Sequence, residues 1–372
     1  MGASEMRLTA VSGRDFRNYE RFDAPLAGRL TVIVGPNGAG KTNLLEAIYF
    51  GCTGRSPRTA NDRDLVRRGA PAARVTVSTE DHDAAAHTLE AAFEPGEPKR
   101  LTIDGSPVEN LWSTPLRPLV SVFLPDRLDL VKGAPAGRRA HLDQLVAALW
   151  PARGDIRQAY SRALAQRNAL LARIRAGAAT AATLDAWDAE LARHGADLIA
   201  IRAEALELLA PHFSARARDL GLPLAAEVAY RPRSRANGAA ELAAELAERR
   251  AGDLERGFTV HGPHRDDLRL LHGGETLRDL GSQGQQRVGL LALLFAERDV
   301  LAQLRDRPPL MLLDDVMSEL DAGRRALLSQ LLREGGQGVL TATEREHVPG
   351  HDAEDTVLLE VDAGRVAAAG VA

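Results

Sequence analysis

Short runs of alternating apolar and polar residues fill the first hundred or so positions. Arg7–Ser12, Leu30–Val34, Arg74–Thr79, Thr88–Phe93 and Val120–Leu124 are β-prone and are broken by Gly, Pro and Asp, which predicts strands. Between them, Leu44, Leu45 and Ile48 sit at helical spacing within Gly40–Tyr49. The spacing changes near Pro135. Leu142, Leu145, Val146 and Leu149 mark one helix, and Ile156, Tyr160, Ala163, Leu170 and Ile174 a second. Leu184, Trp187, Leu191, His194, Leu198, Ile201, Ala205 and Leu208 recur at steps of three and four, a heptad seam that favours long helices packed at a shallow angle. Gly177 lies in the break between the last two, so an antiparallel helical hairpin is expected, with His194 a packed histidine rather than a ligand. Strand spacing returns at Phe258–His261 and Leu268–Leu271. A Leu-rich helix over Gly289–Arg298 follows, then an apolar strand, Leu310–Leu313, a helix over Ala322–Leu332, and strands at Gly338–Thr341 and Thr356–Val361. Arg231–Gly238 is polar and reads as a loop.

Composition narrows the class. A chain of 372 residues suggests two domains, perhaps three. With 47 Lys+Arg against 51 Asp+Glu the net charge is −4, so any nucleic-acid binding must use a local basic patch. One cysteine excludes a disulfide scaffold and a multi-cysteine metal site. No apolar run approaches membrane-spanning length. The opening MGASEMRLTAVSGRDF is too polar for a secretory leader, and a cytoplasmic setting is the expectation. Lys41, Lys99 and Lys132 are the lysines; arginine fills every other such position, so a retained lysine invites a chemical reason.

Lys41 has one. Gly35-Pro36-Asn37-Gly38-Ala39-Gly40-Lys41-Thr42 matches G-x-x-x-x-G-K-[ST], follows the Leu30–Val34 strand and opens a helix, the context that defines a P-loop. The glycines let backbone N–H groups wrap phosphates, and the helix N-terminus favours negative charge. Lys41 then serves the β- and γ-phosphates of ATP and Thr42 ligates Mg²⁺. The apolar strand ending in Asp314 and Asp315 has the Walker B form: Asp314 beside Mg²⁺, Asp315 facing the attacking water as candidate general base. Ser282-Gln283-Gly284-Gln285-Gln286 precedes the Leu-rich helix, where a hydroxyl and free N–H groups can meet a phosphate; an ordinary helix N-cap is the plain alternative.

This set resembles the ATPase heads of the SMC-like ABC class, with Ser282, Gly284 and Gln285 as the signature and Ser318-Glu319-Leu320-Asp321 as the D-loop. More than half the chain separates Lys41 from Ser282, and the hairpin fills the gap as a coiled coil does in SMC proteins. The resemblance sharpens to the RecF family of DNA replication and repair proteins. It is carried by Phe16-Arg17-Asn18-Tyr19, Asn43–Tyr49, Gly54–Arg58, the run from Phe123 to Asp143 (where Arg127 departs from an expected Asp), Gln166-Arg167-Asn168, Trp187 with Gly195, and Gly262–Asp267. It implies a mixed α/β head with an inserted helical arm: 1–130 and 256–372 as the two parts of the head, 131–255 as the arm. It also implies nucleotide contacts at Gly35 to Thr42, Ser282, Gly284, Gln285 and Asp321, metal ligation by Thr42 and Asp314, and catalysis by Lys41 and Asp315. The implied activity is a slow, DNA-dependent ATPase that closes head to tail as a homodimer on DNA, with RecR and RecO as partners in loading a recombinase.

Departures limit the comparison. The ABC catalytic Glu is Asp315, the switch His is replaced in Leu340-Thr341-Ala342-Thr343, and no glutamine is an evident Q-loop. Such a site suits a timer better than a motor. His261, His264, Asp266 and Asp267 lack zinc-type spacing and read as a structural network. Cys52 reads as packing. Arg138, Arg139, Arg153, Arg157 and Arg162 face either DNA phosphates or plain solvent. A transporter ATPase would need a shorter signature spacing, and an OLD-type nuclease needs more chain than follows Asp321. Another SMC- or OLD-like ABC ATPase acting on DNA, or a nucleotide-binding scaffold without significant hydrolysis, is the alternative.

Overall fold

The computed structural model describes residues 6–111, 114 and 116–368, without the side chains of 125 and 126; the first five residues of the polar opening lie outside it. Two compact units emerge. One comprises residues 1–127, 219–221 and 301–372, the other 128–218 and 222–300.

The first unit contains β1 (Arg7–Phe16), β2 (Tyr19–Pro25), β3 (Leu30–Val34), α1 (Lys41–Thr53), β4 (Ala73–Glu80), β5 (Ala86–Phe93), β6 (Arg100–Ile103), β7 (Ser106–Pro107) and β8 (Val120–Phe123). Six of these strands form an antiparallel sheet in the order β2-β1-β4-β5-β6-β7. Its pattern has period two: Ala73, Val75 and Val77 of β4 are buried while Arg74, Thr76 and Ser78 turn outward. The inner face packs on α1, whose Leu44, Leu45, Ile48, Phe50 and Cys52 join one core with Val11, Phe22 and Ile33. Burying each such side chain contributes about 1.5–3 kcal/mol.

The second unit is mostly helical: α2 (Asp129–Lys132), α3 (Pro135–Leu149), α4 (Asp155–Arg175), α5 (Leu184–Asp219), β9 (Ala226–Arg231), α6 (Ala239–Glu248), α7 (Arg250–Arg256), β10 (Asp267–His272), β11 (Glu275–Thr276), α8 (Leu277–Leu280) and the start of α9 (Gln283–Arg305). α4 and α5 form the expected hairpin, and α5 runs on through Pro211. Arg167 of α4 is fully buried and binds Asp188 of α5 at 2.6 Å and Asp253 of α7 at 2.7 Å. Phe258–His261 is not a strand. Its backbone partners are side chains instead: Thr259 N donates to Asn168 Oδ1 (2.8 Å) and Val260 N to Asp253 Oδ1 (3.1 Å). Residues 256–300, which carry the signature segment, pack within this unit.

The chain then completes the first unit with β12 (Leu310–Leu313), α10 (Ala322–Glu334), β13 (Gly338–Ala342), β14 (Thr356–Asp362) and β15 (Arg365–Ala368). The second sheet is ordered β15-β14-β3-β13-β12-β8, parallel except at β15. All four residues of β12 and all five of β3 and β13 are buried, as strands covered on both faces require. Parallel β3 and β12 flank β13, so their C-terminal ends open on one edge, where ligands of α/β sheets bind. No helix among the described residues is long and apolar enough to cross a membrane.

Candidate functional site

β3 ends at Val34, and the loop from Gly35 to Gly40 leads into α1. Gly35, Gly38 and Gly40 have φ of 155°, 82° and 121°. A Cβ at Gly35 would stand 2.1 Å from Val361 O, and one at Gly40 2.6 Å from Asn18 Nδ2, so close backbone approach requires glycine at both. Lys41 is 7% exposed and its Nζ donates to Gly35 O (2.7 Å) and Pro36 O (3.0 Å), closing the loop on itself. Burial holds the Lys41 ammonium below its usual range, against the pull of Asp315 and Asp314.

β12 delivers Asp314 to the same edge. Thr42 Oγ1 donates toward Asp314, 3.0 Å from Oδ1 and 2.9 Å from Oδ2. Thr341, at the end of intervening β13, donates its hydroxyl to Asp314 Oδ1 (2.8 Å) and accepts from Asp315 N (2.8 Å). Burial pushes the Asp314 carboxyl above the usual range although both hydroxyls stabilise its anion. A buried carboxylate that meets two hydroxyls and makes no salt bridge among the described residues is an all-oxygen donor set, which fits Mg²⁺. Asp315 has φ 48°, a left-handed conformation rare outside glycine, and its buried Oδ1 has no hydrogen-bond partner among the described residues. Such local strain is concentrated at functional positions.

In the second unit, Ser282 caps α9. Its Oγ accepts from Gln285 N at 3.3 Å while its own N donates to Gln285 Oε1 at 2.8 Å, a reciprocal capping box. Ser282 is exposed, and no neighbour lies within 4 Å of where a Gly284 Cβ would be. This leaves the N-terminus of a 23-residue helix open to solvent. Asp321, back in the first unit, caps α10 by accepting from Arg324 N (2.9 Å).

The sequence profile of the RecF/RecN/SMC N terminal domain matches residues 7–362. The chain is 40% identical over 373 residues to the DNA replication and repair protein RecF of Anaeromyxobacter sp. (strain Fw109-5), covering 97% of this chain and 99% of the relative. The chain belongs to the RecF family. A solved structure of the recombination mediator protein RecF-ATP in the RecFOR pathway superposes with TM-score 0.86 at 26% identity, over 100% of this chain and 99% of that one. An SMC head bound to the C-winged helix domain of ScpA shares the fold, with TM-score 0.61 at 16% identity and 98% of each chain covered. The expected fold class, an ABC/SMC-like ATPase head with mixed sheets and helices, is thus shown.

The RecF resemblance had singled out segments without assigning them work. Phe16-Arg17-Asn18-Tyr19 braces the P-loop from behind. Asn18 Nδ2 donates to Ala39 O (3.1 Å), Tyr19 OH to Gly40 O (2.9 Å), and Asn43 Nδ2 to Asn18 Oδ1 (2.8 Å). Arg17 makes a bidentate pair with Glu46 of α1 at 2.8 and 2.7 Å. Ser56 (2.6 Å) and Arg58 (3.0 Å) of the Gly54–Arg58 stretch donate to the same fully buried carboxylate. In the sequence Thr341 marks only the missing switch histidine. Its hydroxyl occupies the link between Asp314 and Asp315.

The other sequence candidates separate. His261 pairs with Glu245 (2.5 Å). His264 Nδ1 lies 2.6 Å from Tyr160 OH and its Nε2 3.0 Å from Thr259 O. Asp266 binds Arg233 N (2.6 Å) and Tyr230 OH, and Asp267 binds Arg138 (2.8 Å). They form structural links rather than one ligand set. Cys52 is fully buried, which pushes its thiol up to about 12 and leaves it inert. Of the arm-base arginines, Arg138 is buried on Asp267, Arg139 donates to Asp266 O, Arg153 pairs with Glu204 and Arg157 with Asp143.

Proposed function

We propose that this protein is an ATP-gated DNA-binding ATPase of recombinational repair and replication-fork maintenance. Its head would be formed by 1–130 with 256–372, and its arm by 131–255. The observation that carries the reading is the convergence of Lys41, Thr42, Asp314 and Asp315 at one sheet edge, with Asp314 within hydrogen-bond reach of Thr42. ATP displaces the two carbonyls from Lys41, whose ammonium then binds the β- and γ-phosphates while the N–H groups of Gly38 to Thr42 cradle them. Thr42 and Asp314 would hold Mg²⁺, which would supply neutralisation of the phosphate charge. Asp315, held by Thr341, orients the attacking water. One methylene shorter than Glu, it makes turnover slow.

Two heads close head to tail. Ser282, Gly284 and Gln285 of one copy meet the γ-phosphate bound by the other, and Asp321 lies at the same junction. The open, exposed Ser282 end of α9 supports this reading. Duplex, gapped and single-stranded DNA are the substrates, and the place of the similar RecF-ATP structure in the RecFOR pathway supports RecO and RecR as partners. Cytoplasmic residence follows from that role. Lys41→Met tests the nucleotide site: a titration with fluorescent ATP should show at least a tenfold loss of affinity. Unchanged affinity overturns the assignment.

A further inference from the structure

α8 lies directly before Gly281 and Ser282, and its four residues are too few to hold a helix on their own. Packing therefore sets its place. Leu277, which opens α8, is buried and wedged between two glycines. A Cβ on Gly289 of α9 would stand 2.4 Å from Leu277 Cδ1, and one on Gly281 2.5 Å from Leu277 O. Gly281 has φ −73° and Gly289 lies inside helical α9, so neither glycine serves a left-handed backbone. Glycine within a helix weakens it relative to alanine. At Gly289 the return is room, which brings α9 up to α8 and lets Leu277 bury. Gln286 stands three residues before Gly289, on the same side of α9. It is buried, and its Nε2 donates to Leu277 O at 2.8 Å and to Arg278 O at 3.4 Å. Its backbone N donates to Ser282 O at 2.9 Å. One residue thus holds both sides of the corner at Gly281: its side chain takes α8 and its main chain takes Ser282. The Gln286 Oε1 is buried with no hydrogen-bond partner among the described residues. A buried acceptor left without a donor costs at least as much as a typical hydrogen bond contributes net. Gln286 is therefore a poor stabiliser, and its clamp needs another reason.

We propose that Leu277, Gln286 and Gly289 are positioning residues for the signature. They lock α8 to α9, so that Ser282 and the open N–H groups behind it are set before a second copy arrives. The proposal rests on the head-to-tail closure above and deepens it: closure meets a preformed surface rather than one shaped by ATP. None of the three needs to touch a phosphate. A site that grips a reacting group works only within about 0.5 Å of its productive geometry, and it does so through the residues that support it. Displacing α8 moves Gly281, and with it the start of α9, so an error in the corner reaches Ser282 directly.

The test is sedimentation velocity over a concentration series with ATP, alongside fluorescent-ATP titrations and thermal melts. Gly289→Ala drives a methyl group into Leu277 and should weaken the ATP-dependent dimer by about tenfold or more at unchanged ATP affinity. Adding Leu277→Val, which has no Cδ to clash, should bring the dimer back to within about threefold of the wild type. Gln286→Met keeps the length and the packing but loses the amide. It should weaken the dimer by about tenfold while the melting temperature holds or rises, because an unpartnered acceptor has gone. A merely structural role predicts the reverse: lower melting temperatures throughout, and a double variant worse than Gly289→Ala. That result overturns the proposal, and so do single variants that dimerise like the wild type. A wild type that stays monomeric with ATP overturns the closure reading itself.

Discussion

Each unit hides a charged cluster, and the two are built in opposite senses. Behind the P-loop a fully buried acid, Glu46, gathers two partly exposed arginines and a serine hydroxyl. In the helical unit a fully buried base, Arg167, gathers two buried aspartates and Thr259, yet its Nη2 has no partner. Glu46 sits on α1, within the helix that Lys41 and Thr42 open, so its partners fix the direction of that helix and thereby the Gly35–Gly40 loop. Arg167 fixes α4 against α5 and α7. The first cluster tunes a site, and the second sets the shape of a unit.

The comparison predicts that damage to the two clusters will read out differently. Arg167→Met should destabilise most, by about 3–5 kcal/mol in urea unfolding, because Asp188 and Asp253 stay buried without their cation. Its effect on ATP affinity should be small; a large one would break the division of labour.

Next comes pH. Burial lowers the His264 pKa from 6.5 to about 4, and its neutral ring accepts from Tyr160 and donates to Thr259 O. The unfolded chain takes up a proton first, so stability should fall as pH drops from 6.5 to about 4, by at most about 3 kcal/mol, and level off below. Denaturant melts at several pH values should show this slope shrink in His264→Gln.

Glu46→Gln removes a charge-assisted hub and should cost about 1.5–3 kcal/mol. Here nucleotide affinity should fall with stability; a loss of stability alone would put Glu46 in the same class as Arg167. The smallest effect is expected of Tyr19→Phe, which loses one hydrogen bond to Gly40 O, about 1 kcal/mol, read as a severalfold weaker ATP affinity.

What was legible in the sequence follows the same physics. β3, β12 and the P-loop announce themselves because fully buried strands are apolar throughout and the glycines have no substitute. β2 went unread because its outward Glu20, Arg21 and Asp23 mask the inward Tyr19, Phe22 and Ala24. Phe258–His261 was misread as a strand because its apolar residues pack in irregular backbone, whose hydrogen bonds Asn168 and Asp253 supply from distant sequence. Long-range polar work of this kind leaves no periodicity. The roles of Asn18, Tyr19 and Glu46 behind the loop, and of Thr341 between the two aspartates, were therefore hidden although the first three lie in segments the family resemblance had marked.

The proposed closure joins two copies through the exposed N-terminus of α9 when ATP binds. Sedimentation velocity of the wild type and of Ser282→Arg, with and without ATP, tests it most directly. The wild type should shift from monomer to dimer with ATP, while Ser282→Arg should bind ATP with unchanged affinity and remain a monomer. An ATP-dependent dimer of normal stability in Ser282→Arg would contradict it.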